Sequence, residues 1–196
     1  MLTKKFFSFK VRCKLRLYES TLLKYNHIIN LISLKDKDKI LKRHFLDSAQ
    51  LFKYINNTGD CYILDIGSGA GFPGVVLSIL GFKNIVLIEK SYKKSLFLRK
   101  LCSDLKVYPK IFSGDVHDLT TFNFDVIVSR AFSNFNKIIT CCKKFSSCNL
   151  VFLCLKGLSF KDELKFFQDK IFCLSVFQSI TYYKSKIVKI SGIKYL

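Results

Sequence analysis

Asp65-Ile66-Gly67-Ser68-Gly69-Ala70-Gly71-Phe72-Pro73-Gly74 lies between an apolar run and a helical pattern, a placement that makes it a strand-to-helix turn built to approach a ligand. Cys61-Tyr62-Ile63-Leu64 before it reads as a buried strand. Val75, Val76, Leu77, Ile79 and Leu80 after it carry a helix, with Pro73 suited to the first helical position. Glycines in such a turn solve a steric problem, because a side chain would hold the backbone away from a bound molecule or resist a positive φ. The turn therefore belongs at the edge where open α/β sheets bind nucleotide-like ligands.

Gly69-Ala70-Gly71-Phe72-Pro73-Gly74 satisfies the GxGxxG dinucleotide fingerprint literally. In that fingerprint the first glycine directly follows the strand, whereas here Asp65-Ile66-Gly67-Ser68 intervenes and puts a carboxylate before an earlier glycine. An acid followed by GxGxG resembles the S-adenosylmethionine (SAM) loop of class I methyltransferases. SAM has no pyrophosphate to cradle, so such a loop approaches its methionine part and ribose. SAM is the favoured ligand, with NAD and a purely structural glycine turn as the alternatives.

Asn84-Ile85-Val86-Leu87-Ile88 reads as a second strand and ends in Glu89, about 20 residues beyond the loop, where a Rossmann-type sheet places an acid that accepts from ribose hydroxyls. The alternative for Glu89 is a solvated strand-end carboxylate. Ser91 to Asp104 then has Leu96, Phe97, Leu101 and Leu105 at helical spacing, with Lys93, Lys94, Arg99 and Lys100 mostly on other faces. Together these segments predict a βαβ unit.

The chain of 196 residues is 49% hydrophobic, enough for one α/β domain with a modest extension. A formal charge of +19 implies attraction to a polyanion, nucleic acid being the natural candidate. Only Arg12, Arg16, Arg43, Arg99 and Arg130 among the 33 basic residues are arginines, a lysine bias that an AT-rich coding sequence would also give. The charge is therefore supportive of an RNA partner and not diagnostic of one.

Eight cysteines form no CxxC pair, and no histidine joins them in zinc-like spacing, so a reduced compartment and no metal are expected. Met1-Leu2-Thr3-Lys4-Lys5-Phe6-Phe7 is interrupted by charge too early for a signal sequence. No apolar run approaches the ~20 residues of a membrane span. A soluble, cytoplasmic monomer is the expectation.

From Lys10 to about Asn57 the pattern is helical, with one stripe of Leu15, Tyr18, Leu22, Tyr25 and Ile29 and another of Leu41, Phe45, Leu46, Phe52 and Ile55. Asn56-Asn57-Thr58-Gly59-Asp60 punctuates a boundary, giving a basic helical cap over residues 1–58 and one α/β unit over 59–196. Further strands are expected at Lys106 to Phe112, Phe124 to Ser129 and Leu150 to Leu155. Helices are expected from Asn134 to Lys144 and from Ser159 to Gln168, with a terminal hairpin from Phe172 to Ile180 and Lys186 to Ile193. This order predicts a doubly wound, mostly parallel sheet of the Rossmann-like class I type. Its ligand edge lies after Leu64, Ile88, Phe112 and Val128.

Tyr25-Asn26-His27-Ile28-Ile29-Asn30-Leu31-Ile32, Arg43-His44-Phe45-Leu46-Asp47-Ser48, the glycine loop with Phe72-Pro73-Gly74, Phe97-Leu98-Arg99, Phe124-Asp125, Ser129-Arg130-Ala131-Phe132 and Lys156-Gly157 occur in that order. In this set the chain resembles the RsmG (GidB) family from about Leu22 to Gly157. The Arg43 to Ser48 segment, the Phe72-Pro73-Gly74 tail and Ser129-Arg130-Ala131 carry the specificity, since most class I methyltransferases share only the glycine loop. The resemblance implies a SAM-dependent methyltransferase acting on nitrogen 7 of a guanine in 16S ribosomal RNA, free or within the small subunit. Carried over position by position, it places cofactor contacts at Gly67, Phe72, Val116, His117 and Arg130, with Gly69, Gly71 and Glu89 supporting from the general fold. The family's Arg-x-Glu segment after the third strand is here Asp115-Val116-His117, so a role for that arginine side chain is lost. Lys184 or Lys186 stands in for a basic arginine near the last strand, without its bidentate fork.

Nitrogen 7 of guanine carries an exposed lone pair at neutral pH, so attack on a sulfonium methyl needs positioning and no general base. An amino-group methyltransferase would more often show an Asn/Asp-Pro-Pro-Tyr/Phe motif after the fourth strand, where this chain has Ser129-Arg130-Ala131-Phe132. Arg130 is the candidate catalytic residue, holding the SAM carboxylate, an RNA phosphate or the guanine; its alternative is a strand-end salt bridge. Phe132 could stack on a base or lie in the core. Arg43 and His44 divide between structural and RNA-backbone roles. Competing functions are a non-catalytic RNA-binding or ribosome-assembly protein, a small-molecule methyltransferase and an NAD-dependent oxidoreductase.

Overall fold

Alternation along the first strand decides which face of the sheet each residue serves. In the computed structural model, β1 (Ile63–Ile66) is buried at all its positions. Ile63 faces one apolar cluster while Leu64 and Ile66 face the other, as side chains of a strand must. The structure describes residues 6–55, 60–120, 123–130, 138, 140, 143–145, 150–157, 160–164 and 171–193.

Among the described residues, seven strands form one sheet in the order β3-β2-β1-β4-β5-β7-β6. They are β1, β2 (Ile85–Glu89), β3 (Lys110–Ser113), β4 (Val126–Arg130), β5 (Val151–Lys156), β6 (Ile171–Gln178) and β7 (Lys186–Ile193). β1 to β5 pair in parallel, and β6 and β7 form an antiparallel hairpin whose second strand joins β5. The expected doubly wound sheet and terminal hairpin are thus present. The third strand starts at Lys110 and not Lys106, because Lys106 adopts a left-handed φ of 50° that ends the preceding helix.

Helix α1 (Phe9–Asn26) starts at Ser8, whose hydroxyl accepts from the Val11 amide, and buries Leu15, Tyr18 and Leu22. Asn26 stops the chain from continuing, because its Oδ1 accepts from the amides of Leu31 and Ile32 at 2.9 Å each. The rest of the cap departs from the expected regular helix. Leu34–Lys39 is a 3-10 turn, Leu41–Leu46 a π turn, Asp47–Ala49 a single α turn and Gln50–Tyr54 again 3-10. The wider π turn brings His44, Phe45 and Leu46 inward together.

Helix α2 (Gly74–Ile79) follows the glycine loop and α3 (Tyr92–Leu105) follows β2. In α3 the buried face carries Phe97, Leu98, Leu101 and Leu105, while Leu96, expected on that stripe, is exposed. Helix α4 (Phe160–Leu164) is the described part of the helix expected from Ser159. Most of the helix expected from Asn134, and Phe132 with it, lies outside the described residues. Cap residues Leu15, Tyr18, Ile40 and Phe45 share one cluster with Leu87, Val128 and Leu155 of the sheet. The cap thereby roofs the sheet face towards which Asp65 points.

Candidate functional site

The turn after β1 is held from three directions. Gly67, Gly69 and Gly71 have φ of 70°, 58° and 97°, values that L side chains rarely adopt. The Ser68 amide donates to the Ile88 carbonyl at 2.9 Å, tying the loop to the end of β2. Tyr18 of the cap is fully buried and donates its hydroxyl to the Ala70 carbonyl at 2.6 Å. A Cβ at Gly71 would meet that hydroxyl and Val75, and a Cβ at Gly74 would meet Leu87 and Asp65, so these two glycines serve packing. A Cβ at Gly69 would meet only the Gly67 carbonyl, at 3.7 Å, which leaves that part of the turn open as a cradle.

The two carboxylates read from the sequence both bind this turn. Asp65 is fully buried; its Oδ2 accepts from the Gly74 amide at 2.9 Å, and its Oδ1 is without a hydrogen-bond partner. Burial raises its pKa to about 7, against the lowering effect of the Gly74 bond. Glu89 receives the Gly69 amide on Oε2 at 2.8 Å and the Ser91 amide on Oε1 at 2.7 Å. Each carboxylate oxygen has a second lone pair, so Glu89 can brace the loop and still accept a hydroxyl.

After β3, Val116–Asp118 forms a 3-10 turn closed by a capping box: Asp115 accepts from the His117 amide at 3.0 Å and Asp118 from the Asp115 amide at 3.3 Å. Asp115 also pairs with Lys90 at 3.2 Å, and the His117 carbonyl accepts from Lys144 at 2.7 Å. Those contacts hold the Asp115-Val116-His117 backbone beside Glu89, where the Gly114 amide donates to the Glu89 carbonyl at 3.1 Å.

Arg130, at the end of β4, lies with its guanidinium carbon 4.7 Å from the Phe72 ring centre. It donates to the Arg43 carbonyl at 3.2 Å and contacts His44 Nδ1 at 2.6 Å. A guanidinium can only donate, so His44 Nδ1 accepts and the imidazole proton sits on Nε2. Burial first, then the charges of Arg130 and Arg43, lowers the His44 pKa to about 3, so the ring is neutral at ordinary pH. His44 also stacks on Phe72 with ring centres 5.0 Å apart. At 5% exposure it is placed to hold Arg130 rather than to meet a phosphate backbone.

Beside this group opens a cleft of about 500 Å³ between the cap, the ends of β4 and β5 and the β6–β7 turn. Arg43, Arg130, Lys156, Tyr182 and Lys184 are among its lining residues, while Lys186 stands apart with its ammonium on Gln178. Lys156 is 9% exposed and pairs with Glu163 at 2.8 Å. Arg43 pairs with Asp36 at 2.6 Å and lies 5.8 Å from the Tyr182 ring centre.

One network escaped the sequence reading. Asp47 Oδ1 accepts from Gln50 Nε2 at 2.8 Å, Ser179 Oγ at 3.0 Å and Thr181 Oγ1 at 2.7 Å, all buried. Gln50 Oε1 completes it by accepting from the Ile180 amide at 3.0 Å. Asp47 stood in a recognised segment, but nothing local signals partners more than 120 positions away.

Among the described residues no group of His, Cys, Asp and Glu could hold a metal, and no helix is long and apolar enough to cross a membrane. Burial pushes the thiols of Cys102 and Cys154 up to about 12, leaving them unreactive.

Residues 12–189 match the family described as GidB, rRNA small subunit methyltransferase G. The ribosomal RNA small subunit methyltransferase G of Rickettsia bellii is 40% identical over 181 residues, 92% of this chain and 93% of that protein. The Rickettsia rickettsii protein of the same name is 35% identical over the same shares. Among solved structures, a mutant of MtNAS in complex with S-adenosylmethionine aligns with a TM-score of 0.62 and 14% identity over 95% of this chain and 76% of its own. The ribosomal protein L11 methylase of Lactobacillus delbrueckii subsp. bulgaricus aligns with a TM-score of 0.58 and 12% identity over 76% and 77%. Identities this low compare the fold alone.

Proposed function

The chain belongs to the GidB family of small-subunit ribosomal RNA methyltransferases, and from that premise we propose that it moves a methyl group from SAM to nitrogen 7 of a guanine in 16S rRNA. The observation that carries this reading is Arg130, which touches the glycine loop through Phe72 and the cleft through its own exposed edge. One guanidinium thus borders both the cofactor turn and the space for a base.

The open space at Gly69, where an added Cβ would meet only the Gly67 carbonyl, fits the methionine part and ribose of SAM. Gly67, Gly69 and Phe72 would hold that part, Glu89 the ribose hydroxyls, and the backbone at Val116 and His117 the adenine, with Gly71 keeping the turn packed on Tyr18 and Val75. When bound, SAM supplies a methyl group on a sulfonium that needs only an aligned lone pair. Arg130 then acts as the catalytic residue by holding the SAM carboxylate at a fixed place, kept there by His44 Nδ1 and the Arg43 carbonyl. The neutral His44 ring leaves Nδ1 free to accept from Arg130, which a protonated imidazole could not do.

Arg43 and Lys184 supply charge for RNA phosphates at the cleft, with His44 a positioning residue behind them, while Lys186 adds charge only from outside it. Residues 1–58 form the cap and 59–196 the catalytic unit of a cytoplasmic monomer. Incubation with labelled SAM and undermethylated small subunits or naked rRNA tests the proposal. Transfer to one guanine at nitrogen 7 is expected; NAD binding without SAM binding, or no transfer to either RNA, would overturn it.

A further inference from the structure

The β6–β7 turn is rigid where its backbone runs and open where its rings point. The two hydrogens of Gln178 Nε2 are shared among the carbonyls of Tyr182, Tyr183 and Ser185, at 3.3, 3.1 and 3.1 Å. The Ser185 amide closes onto the Tyr182 carbonyl at 2.9 Å. Below, the buried Asp47 carboxylate fastens Ser179 and Thr181 to the cap. On this frame Tyr182 and Tyr183 are 43% and 70% exposed, with ring centres 5.1 Å apart at 61°.

The two rings stand side by side on one turn with their faces open to solvent. Each ring also has a cation at hand: Arg43 over Tyr182 at 5.8 Å and Lys184 over Tyr183 at 5.5 Å. An aromatic face beside a positive charge suits an unpaired nucleotide, whose base stacks on the ring while its phosphate meets the cation. Tyr182 lines the cleft and Tyr183 does not, so the pair continues outward from the space for the target base. Because the frame is already ordered, little entropy is lost on stacking.

We propose that the Tyr182–Tyr183 turn, fastened to the cap by Asp47, is a stacking platform for an unpaired RNA nucleotide adjoining the guanine that enters the cleft. The assignment rests on the rRNA methyltransferase reading and deepens it. Asp47 is a positioning residue in it, touching no RNA.

A single-stranded RNA oligonucleotide containing 2-aminopurine reports stacking directly by fluorescence quenching, without methyl transfer. Quenching is expected with the unaltered protein and with Tyr182→Phe/Tyr183→Phe. In Tyr182→Leu/Tyr183→Leu the RNA Kd should rise about tenfold or more and most quenching should vanish. SAM affinity measured on the same samples should stay unchanged, which shows the variant folded. Wild-type RNA affinity and quenching in the leucine variant would overturn the platform. Quenching that depends on the tyrosines in a protein that methylates no rRNA would uphold the platform and remove the catalytic reading instead.

Discussion

The glycine loop draws its carboxylates from nearby in the chain, Asp65 bonding Gly74 at a separation of 9 residues and Glu89 bonding Gly69 at 20. Across the cleft, Asp47 bonds Ser179 at a separation of 132 residues and Thr181 at 134. Both regions are buried carboxylates fixing a backbone turn, yet one is made within a single βα unit and the other only once the terminal hairpin has joined the sheet. The glycine loop is therefore a local device that many sequences can share. The opposite wall is a tertiary device in which a substrate preference can be written independently.

If the two sides are separable, variants should fail on one side without the other. Gly67→Val should have the largest effect, since a β-branched residue at a φ of 70° costs about 1–2 kcal/mol and would force the turn out of its present path. Calorimetry should find SAM binding weakened by about 100-fold or more while RNA affinity and circular dichroism hold. Arg130 is the point where the comparison should break down, because it packs on Phe72 of the loop and also lines the cleft. For Arg130→Lys we expect kcat/KM to fall by about 10–100-fold, as the ammonium cannot span Phe72, His44 and the Arg43 carbonyl together.

Asp47→Asn replaces one acceptor of the three buried donors with a poorer one. Loosening of the β6–β7 turn should cost about 1–3 kcal/mol in denaturant titration and raise the KM for RNA several-fold. SAM affinity should be unchanged; a matching loss of SAM binding would show that the sides are not separable.

The smallest effect is in pH. His44 is held at about 3 in the folded protein against 6.5, so its contribution to stability is full above 6.5 and is lost as pH falls towards 3. Asp65 is raised from 3.8 to about 7, so its contribution is full below 3.8 and is lost as pH rises to 7. Between about pH 4 and 6.5 the two slopes oppose. Chemical denaturation of the unaltered protein should vary little there, whereas His44→Gln should lose stability as pH rises, by at most about 1.4 kcal/mol per pH unit.

How much the sequence disclosed follows from the same contrast. The loop, the place of Glu89 at the end of β2 and the succession of strands and helices were legible because apolar runs and glycine spacing act over short distances. The Asp115-Val116-His117 segment was placed correctly after β3, but its capping box and the Lys144 contact were not foreseen. Regular helix was expected through the cap, and the periodicity of Leu41, Phe45 and Leu46 did not distinguish an α from a π turn. His44 illustrates the limit most clearly. The sequence divided it between a structural and an RNA-backbone role without choosing, and burial against Phe72 and Arg130 makes it a neutral acceptor.

Mass-spectrometric mapping of 16S rRNA from undermethylated small subunits, before and after incubation with this protein and SAM, tests the central claim most directly. One guanine should gain a single methyl group at nitrogen 7, and Gly67→Val should leave it unmodified. A methyl group on an exocyclic nitrogen or a ribose, or an unchanged rRNA, would contradict the account.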